Sequence, residues 1–211
     1  MNIGSILGRY GLAPEELRYA EIMINGLRKE IGLLLLPAAM ARVLSLSQRP
    51  APVRTDFDTA DEYHLAELEH RYAPLVPAHA AIAGQRGVAA ADRVVGDMLV
   101  EIAVLHGRDT YPPVTGETDY GRFLEIMAAD KAADPYMRAR PELAEGELRL
   151  RVDRCLYIEA VERIGLSSLV PRMCDTYEAY CEACQPLVEA FLVRAMGRGD
   201  HDCLFGYRRR R

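Results

Sequence analysis

The stretch Glu147-Leu148-Arg149-Leu150-Arg151-Val152-Asp153 decides the fold class. Leu148, Leu150 and Val152 alternate with charged residues. Successive strand side chains point to opposite faces, so this period of two spells a half-buried β-strand. Toward the N-terminus the period changes. Leu17, Ala20, Ile24, Leu27, Ile31 and Leu34 recur at steps of three and four, which predicts a helix over about 12–36 with that stripe in a core. Residues 45–58 hold Pro50 and Pro52 and read as a loop. Further helices are predicted over about 59–71, 88–105 and 119–132, the last burying Phe123, Ile126 and Met127. Toward the C-terminus a short helix over about 155–164 stops at Gly165. Another, capped by Ser167 or Ser168, runs to about residue 184. Strands over 188–196 and 203–208 then flank the turn Gly197-Arg198-Gly199-Asp200-His201-Asp202 as a hairpin. Strands and helices do not alternate, which argues against a doubly wound parallel sheet. The order predicts an α+β fold, a mainly helical domain on a small antiparallel sheet of about three strands with a C-terminal hairpin. Residues 1–211 read as a single domain, with a helical part over about 12–132 and a mixed part over about 146–208.

Composition narrows the function classes. Half of the 211 residues are apolar and 27% are charged, which excludes a disordered tail or a fibre. The net charge of −5 argues against nucleic-acid binding by a basic field. The apolar run from Ile31 to Ala41 is interrupted by Pro37 and is too short for the ~20 residues of a membrane span. A cytoplasmic protein with reduced thiols, a small-molecule substrate and no nucleic-acid or membrane partner is expected; a homo-oligomer is left open.

All five cysteines, Cys155, Cys174, Cys181, Cys184 and Cys203, follow residue 154. Val170, Cys174, Tyr177, Cys181 and Cys184 are spaced as one helical seam, so packing is the first reading of Cys181 and Cys184. Cys181-x-x-Cys184 with His201 and Cys203 would make four metal ligands, but there is no second CxxC pair, and neither metal nor cofactor is expected. A redox pair is disfavoured because this CxxC closes a helix rather than opening one. Cys203 differs: it follows Gly199-Asp200-His201-Asp202 into a strand and shares a face with Phe205 and Tyr207. A thiol there, beside carboxylates and a histidine, is a candidate nucleophile.

The segment from Arg154 to Tyr207 resembles the family of L-2-amino-thiazoline-4-carboxylic acid hydrolases. The resemblance rests on Cys155 opening a short helix that ends in Ile164-Gly165-Leu166. Cys174 follows within a helix, then Pro186, then Gly199-Asp200-x-x-Cys203-x-Phe205. Many members carry an Asp three residues after the helical Cys; here that position is Tyr177 and the nearby acid is Asp175. The resemblance implies hydrolysis of a cyclic C=N bond, with a 2-amino-thiazoline carboxylate opened to a carbamoyl-cysteine. Cys203 is then the expected nucleophile and Asp200 or His201 the proton-handling partner. Cys155, Cys174, Asp175, Phe205 and Tyr207 are expected around the substrate, with Arg154 or Arg172 on its carboxylate. Two alternatives stay open: a natural-product tailoring enzyme on the same scaffold, and a non-catalytic sensor similar to the vinyl-reductase-related ligand-binding domains.

Overall fold

The computed structural model describes residues 14–47 and 49–211, so the first two residues of the expected N-terminal helix lie outside the described residues. Five helices come first: α1 (Pro14–Ser47), α2 (Ala60–Tyr72), α3 (Leu75–Arg86), α4 (Val88–Thr110) and α5 (Glu117–Ala133). The hairpin β1 (Met137–Ala144) and β2 (Glu147–Cys155) follows, then α6 (Leu156–Arg163), α7 (Val170–Cys174) and α8 (Thr176–Cys184). The chain closes with β3 (Val188–Arg194) and β4 (Cys203–Arg209). Local chemistry explains the boundaries. Thr59 and Glu62 exchange side-chain and backbone hydrogen bonds at the start of α2, a capping box that satisfies two free amides.

The α+β architecture stands as read, but the sheet has four antiparallel strands in the order β1-β2-β4-β3 rather than three. The extra strand is β1. It contains Pro141, which removes a ladder donor and masks the strand in the sequence; an edge position tolerates it. Glu145 and Gly146 join β1 to β2 with both φ angles positive (52° and 74°), the tight turn that matches strand twist.

Three helical expectations change. Helix α1 continues to Ser47, through part of the expected loop, and leaves helical geometry at Gly32 (φ 72°). That break shifts the phase of the apolar stripe: Leu34, expected inside, is 95% exposed, while Ala39 and Val43 take the buried face. In α5, Ile126 is partly exposed, and Tyr120, Phe123, Leu124 and Met127 form the buried side. The stretch 167–184 divides at Asp175 into α7 and α8, and Ser168 donates to Asp92 Oδ1 instead of capping a helix.

Two main cores result. Leu27, Ile82, Val95 and Met98 belong to an aliphatic core shared by α1, α3 and α4. Phe123, Leu150, Phe205, Tyr207 and Cys203 belong to a second core, where α5 lies against β1 and β2 and α8 against β3. Helix α2 packs on α6 through Leu65, Leu68, Leu156 and Ala160. Among the described residues, no helix is long and apolar enough to cross a membrane.

Candidate functional site

The inward face of the sheet is set by alternation. Leu148, Leu150 and Val152 of β2 stand opposite Tyr207, Phe205 and Cys203 of β4, and all six are buried. This register carries Cys203 into the second core, where Cys155 and Cys174 pack against the same cluster. Each of these three thiols is met by backbone amides. Cys155 ends β2 and is the N-cap residue of α6, where the N–H groups of Tyr157 and Ile158 favour its thiolate. The Gly197 amide acts likewise on Cys174, and the Met196 amide donates to Cys203 Sγ at 3.3 Å. Cys203 lies close enough to the other two to act on both electrostatically.

Burial still governs these thiols. It pushes Cys155 up to about 12 and raises Cys174 and Cys203, and the neighbouring carboxylates of Asp202 and Asp200 add to the rise at Cys203. Cys203 is buried, whereas Cys155 and Cys174 are half-buried. The three form a thiol seam between α6, α7 and the β3–β4 turn. Gly197 allows this close approach: a Cβ there would fall 2.8 Å from Cys174 Sγ and 2.9 Å from the Val170 carbonyl oxygen.

Tyrosines and two charges complete the surroundings. Tyr177 stacks on Phe205 with centroids 4.5 Å apart, and Lys131 Nζ lies 5.9 Å from the Tyr177 centroid. The Tyr157 hydroxyl donates to Asp134 Oδ2 at 3.2 Å. Burial, reinforced by Asp134, raises Tyr157, so its proton stays in place at neutral pH. Burial also raises Tyr72 and Tyr177, and Cys155 and Asp134 contribute to both shifts.

The Gly-Asp-x-x-Cys stretch is first of all a self-closing turn. Gly199 adopts a left-handed conformation (φ 99°) that disfavours a side chain. The Asp200 carboxylate accepts from the Ala195 amide at 2.8 Å. Asp202 is clasped by Arg194 at 2.7 and 3.0 Å and by Arg151 at 3.2 Å, and its side chain is 4% exposed. The Arg194 hydrogen bonds hold its carboxyl down to about 2. Its cover consists of guanidinium groups, which stabilise the anion that apolar cover would penalise.

Cys155, Cys174 and Cys203 are therefore brought together, with Phe205 behind Tyr177. Tyr207 is fully buried against Phe123 and Phe205, four residues along β4 from Cys203, with Cys181 and Tyr180 rather than the three seam thiols acting on it. His201 points outward with 82% of its side chain exposed; its ion-pair partner is Asp202 Oδ1 at 3.6 Å. Asp175 is occupied by Arg172 at 2.7 Å and Arg198 at 2.8 Å, tying α7 to the hairpin turn. Arg154 is held by Glu159 and Asp61, and Arg172 also binds Asp97 at 2.5 Å. Both expected carboxylate receptors are thus engaged with the protein's own acids. Among the described residues, no group of three or more His, Cys, Asp or Glu side chains is arranged to hold a metal ion.

A sequence model described as L-2-amino-thiazoline-4-carboxylic acid hydrolase matches residues 66–207, two thirds of the chain. The chain belongs to this hydrolase family. No match was found among curated proteins or among solved structures. The family segment contains the whole thiol seam together with Tyr72, Lys131, Asp134, Tyr157 and Tyr177, and it excludes α1. Sequence reasoning missed Lys131, Asp134 and Tyr157 as site neighbours. The available signals were slight: Lys131 is one of two lysines among 26 basic residues, and Tyr157 follows Cys155 by two.

Proposed function

We propose that this hydrolase opens the C=N bond of a small cyclic amidine on an amino-acid framework, of the kind the family name describes, at the thiol seam. The observation that carries this reading is the convergence of Cys155, Cys174 and Cys203, which are far apart in sequence, each facing a backbone amide. Cys203 is the nucleophile suggested by the sequence pattern. We assign the attack to Cys155 because two amides at the start of α6 face its sulfur where one faces Cys203, and these oppose a burial that raises Cys155 to about 12.

A thiol pushed up to about 12 needs help to ionise. The positive charge of a bound amidinium supplies part of it, because a nearby cation favours the thiolate. The Tyr157 hydroxyl relays the thiol proton: it passes its own proton to Asp134 as it receives the one from sulfur, so it is never left charged. Sulfur then bonds to the amidine carbon while the C=N electron pair moves onto nitrogen. The ring bond from that carbon to nitrogen or sulfur breaks, with the proton returned to the leaving atom. Water displaces the thiol. The net change is addition of one water, and the product is a carbamoyl-cysteine.

The test compares Cys155→Ala and Cys203→Ala in ring opening of L-2-amino-thiazoline-4-carboxylate followed by chromatography. Loss of a covalent nucleophile is expected to lower turnover on the order of 10³-fold or more in Cys155→Ala, with a smaller loss in Cys203→Ala. The reverse ranking returns the attack to Cys203. Full activity in both variants removes thiol chemistry and leaves water activated by Asp134. An inactive wild type that binds an apolar ligand tightly favours the sensor alternative.

A further inference from the structure

We propose that Lys131 is the specificity residue of the thiol seam and receives the carboxylate of the substrate. This inference rests on the seam being the substrate site. A ring-opening enzyme acting on an amino-acid-derived amidine must hold a carboxylate while leaving the amidine carbon free for attack. The held anion needs a cation that is near the thiols, shielded from bulk water and not already saturated by protein acids.

Lys131 is shielded and meets one protein acid, whereas Arg198, which acts on Cys174 and also meets one acid, is 48% exposed. Its side chain is 13% exposed although it stands in the last turn of a surface helix, so the ammonium is folded inward. It lies 5.9 Å from the centroid of the Tyr177 ring, which is itself stacked on Phe205 of the strand that carries Cys203. Its paired carboxylate is Asp130 at 2.8 Å, and Asp130 also accepts from the Tyr111 hydroxyl at 2.6 Å. An ammonium has three donors, so one partner leaves donors to spare. Arg154 and Arg172 each meet two carboxylates, and Arg71 is directed to the Tyr136 ring and hydroxyl.

The residue that caps the C-terminus of this helix supplies the complementary charge. Asp134 follows Lys131 by three residues and is the C-cap of α5, where the backbone turns extended. Asp134 is directed to Tyr157 beside Cys155, and Lys131 to Tyr177. A small zwitterionic amidine fits this pair with its carboxylate at Lys131 and its amidinium toward Asp134. Its reactive carbon then faces the thiols.

Discrimination is the readout that separates this role from a structural one. The turnover ratio of L-2-amino-thiazoline-4-carboxylate to 2-amino-2-thiazoline, which lacks the carboxylate, is measured for wild type, Lys131→Met and Lys131→Arg. Lys131→Met is expected to lower that ratio by about 10- to 100-fold, the factor a charge-assisted hydrogen bond supplies, mainly through KM. Lys131→Arg is expected to restore part of it. Lys29→Met, an exposed change on α1, is the control. Calorimetric binding of thiazolidine-4-carboxylate, which has no amidine to open, is measured on the same proteins with thermal melts to verify folding. An active wild type whose ratio is unchanged in folded Lys131→Met overturns the inference and leaves the ring-opening reading standing. A wild type that opens neither amidine but binds thiazolidine-4-carboxylate through Lys131 overturns the ring-opening reading and leaves the inference standing. Absence of both binding and turnover overturns both.

Discussion

The groove between α1 and α4 and the thiol seam differ in their chemistry and in their place relative to the family segment. The groove has a volume of about 790 Å³ and is lined by charges of both signs, including Arg18, Glu21, Lys29, Glu30, Arg93 and Glu101. Exposed pairs of this kind contribute little to binding energy because water and salt screen them. The seam holds three thiols and several tyrosines shifted by burial, a known mark of functional sites. Half of the groove is built from α1, which precedes the family segment, whereas the seam lies entirely within residues 66–207. Volume and chemistry therefore point to different places, and the chemistry coincides with the family's own residues.

The strongest way to sharpen this contrast is to damage each core separately. Phe205→Ala removes the ring under Tyr177 and is expected to lower unfolding stability by about 3–5 kcal/mol and to impair turnover of the remaining folded protein. Leu27→Ala in the aliphatic core is expected to cost about 2–5 kcal/mol, with turnover per folded molecule retained. Urea unfolding with parallel assays checks both, and equal functional damage from Leu27→Ala breaks the contrast.

Titration gives a second test. Cys155 and Cys181 are pushed up to about 12 by burial, while an unfolded chain ionises its thiols near 8.5–9. Between about pH 9 and 12 the folded protein binds more protons than the unfolded chain, so stability falls as pH rises. Asp202 acts at the other end. Its folded value of about 2 lies below the unfolded value near 3.9, so its contribution is present above about pH 4 and disappears as pH falls toward 2. Asp202→Asn is expected to weaken the acid dependence of the urea midpoint, and an unchanged acid slope contradicts the Arg194–Asp202 account.

Smaller effects are expected from the remaining cysteines and from the groove. Cys181→Ala with Cys184→Ala is expected to lower stability by about 1–3 kcal/mol through lost burial, without changing metal content by mass spectrometry. One zinc per wild-type chain that disappears in the double variant overturns their packing role. Glu101→Gln on the groove wall is expected to change stability by no more than about 0.5 kcal/mol.

The sequence exposed the parts of the fold that obey a single period. β2 was legible because one face is buried and the other is charged. β1 was masked by Pro141 and by a turn whose Glu145 adopts a positive φ. Leu34 was misplaced because a periodic stripe assumes an unbroken helix, and Gly32 breaks it. For the site, the motif cysteines were legible through family spacing, while their partners depended on tertiary packing. His201, Arg154 and Arg172 looked available as residue types beside motif positions. In the folded chain the imidazole faces solvent and the guanidiniums are neutralised by acids from distant segments, Asp61 and Asp97 among them. Lys131 reaches Tyr177 across 46 residues, a contact that no local pattern encodes.

The central claim, that the thiol seam holds the substrate, is tested most directly by a crystal structure of Cys155→Ala with L-2-amino-thiazoline-4-carboxylate. The expected result is the ligand beside Cys174 and Cys203, its carboxylate on Lys131 and its amidine toward Asp134. A ligand seated in the groove between α1 and α4, with the seam closed and unchanged, would contradict the account.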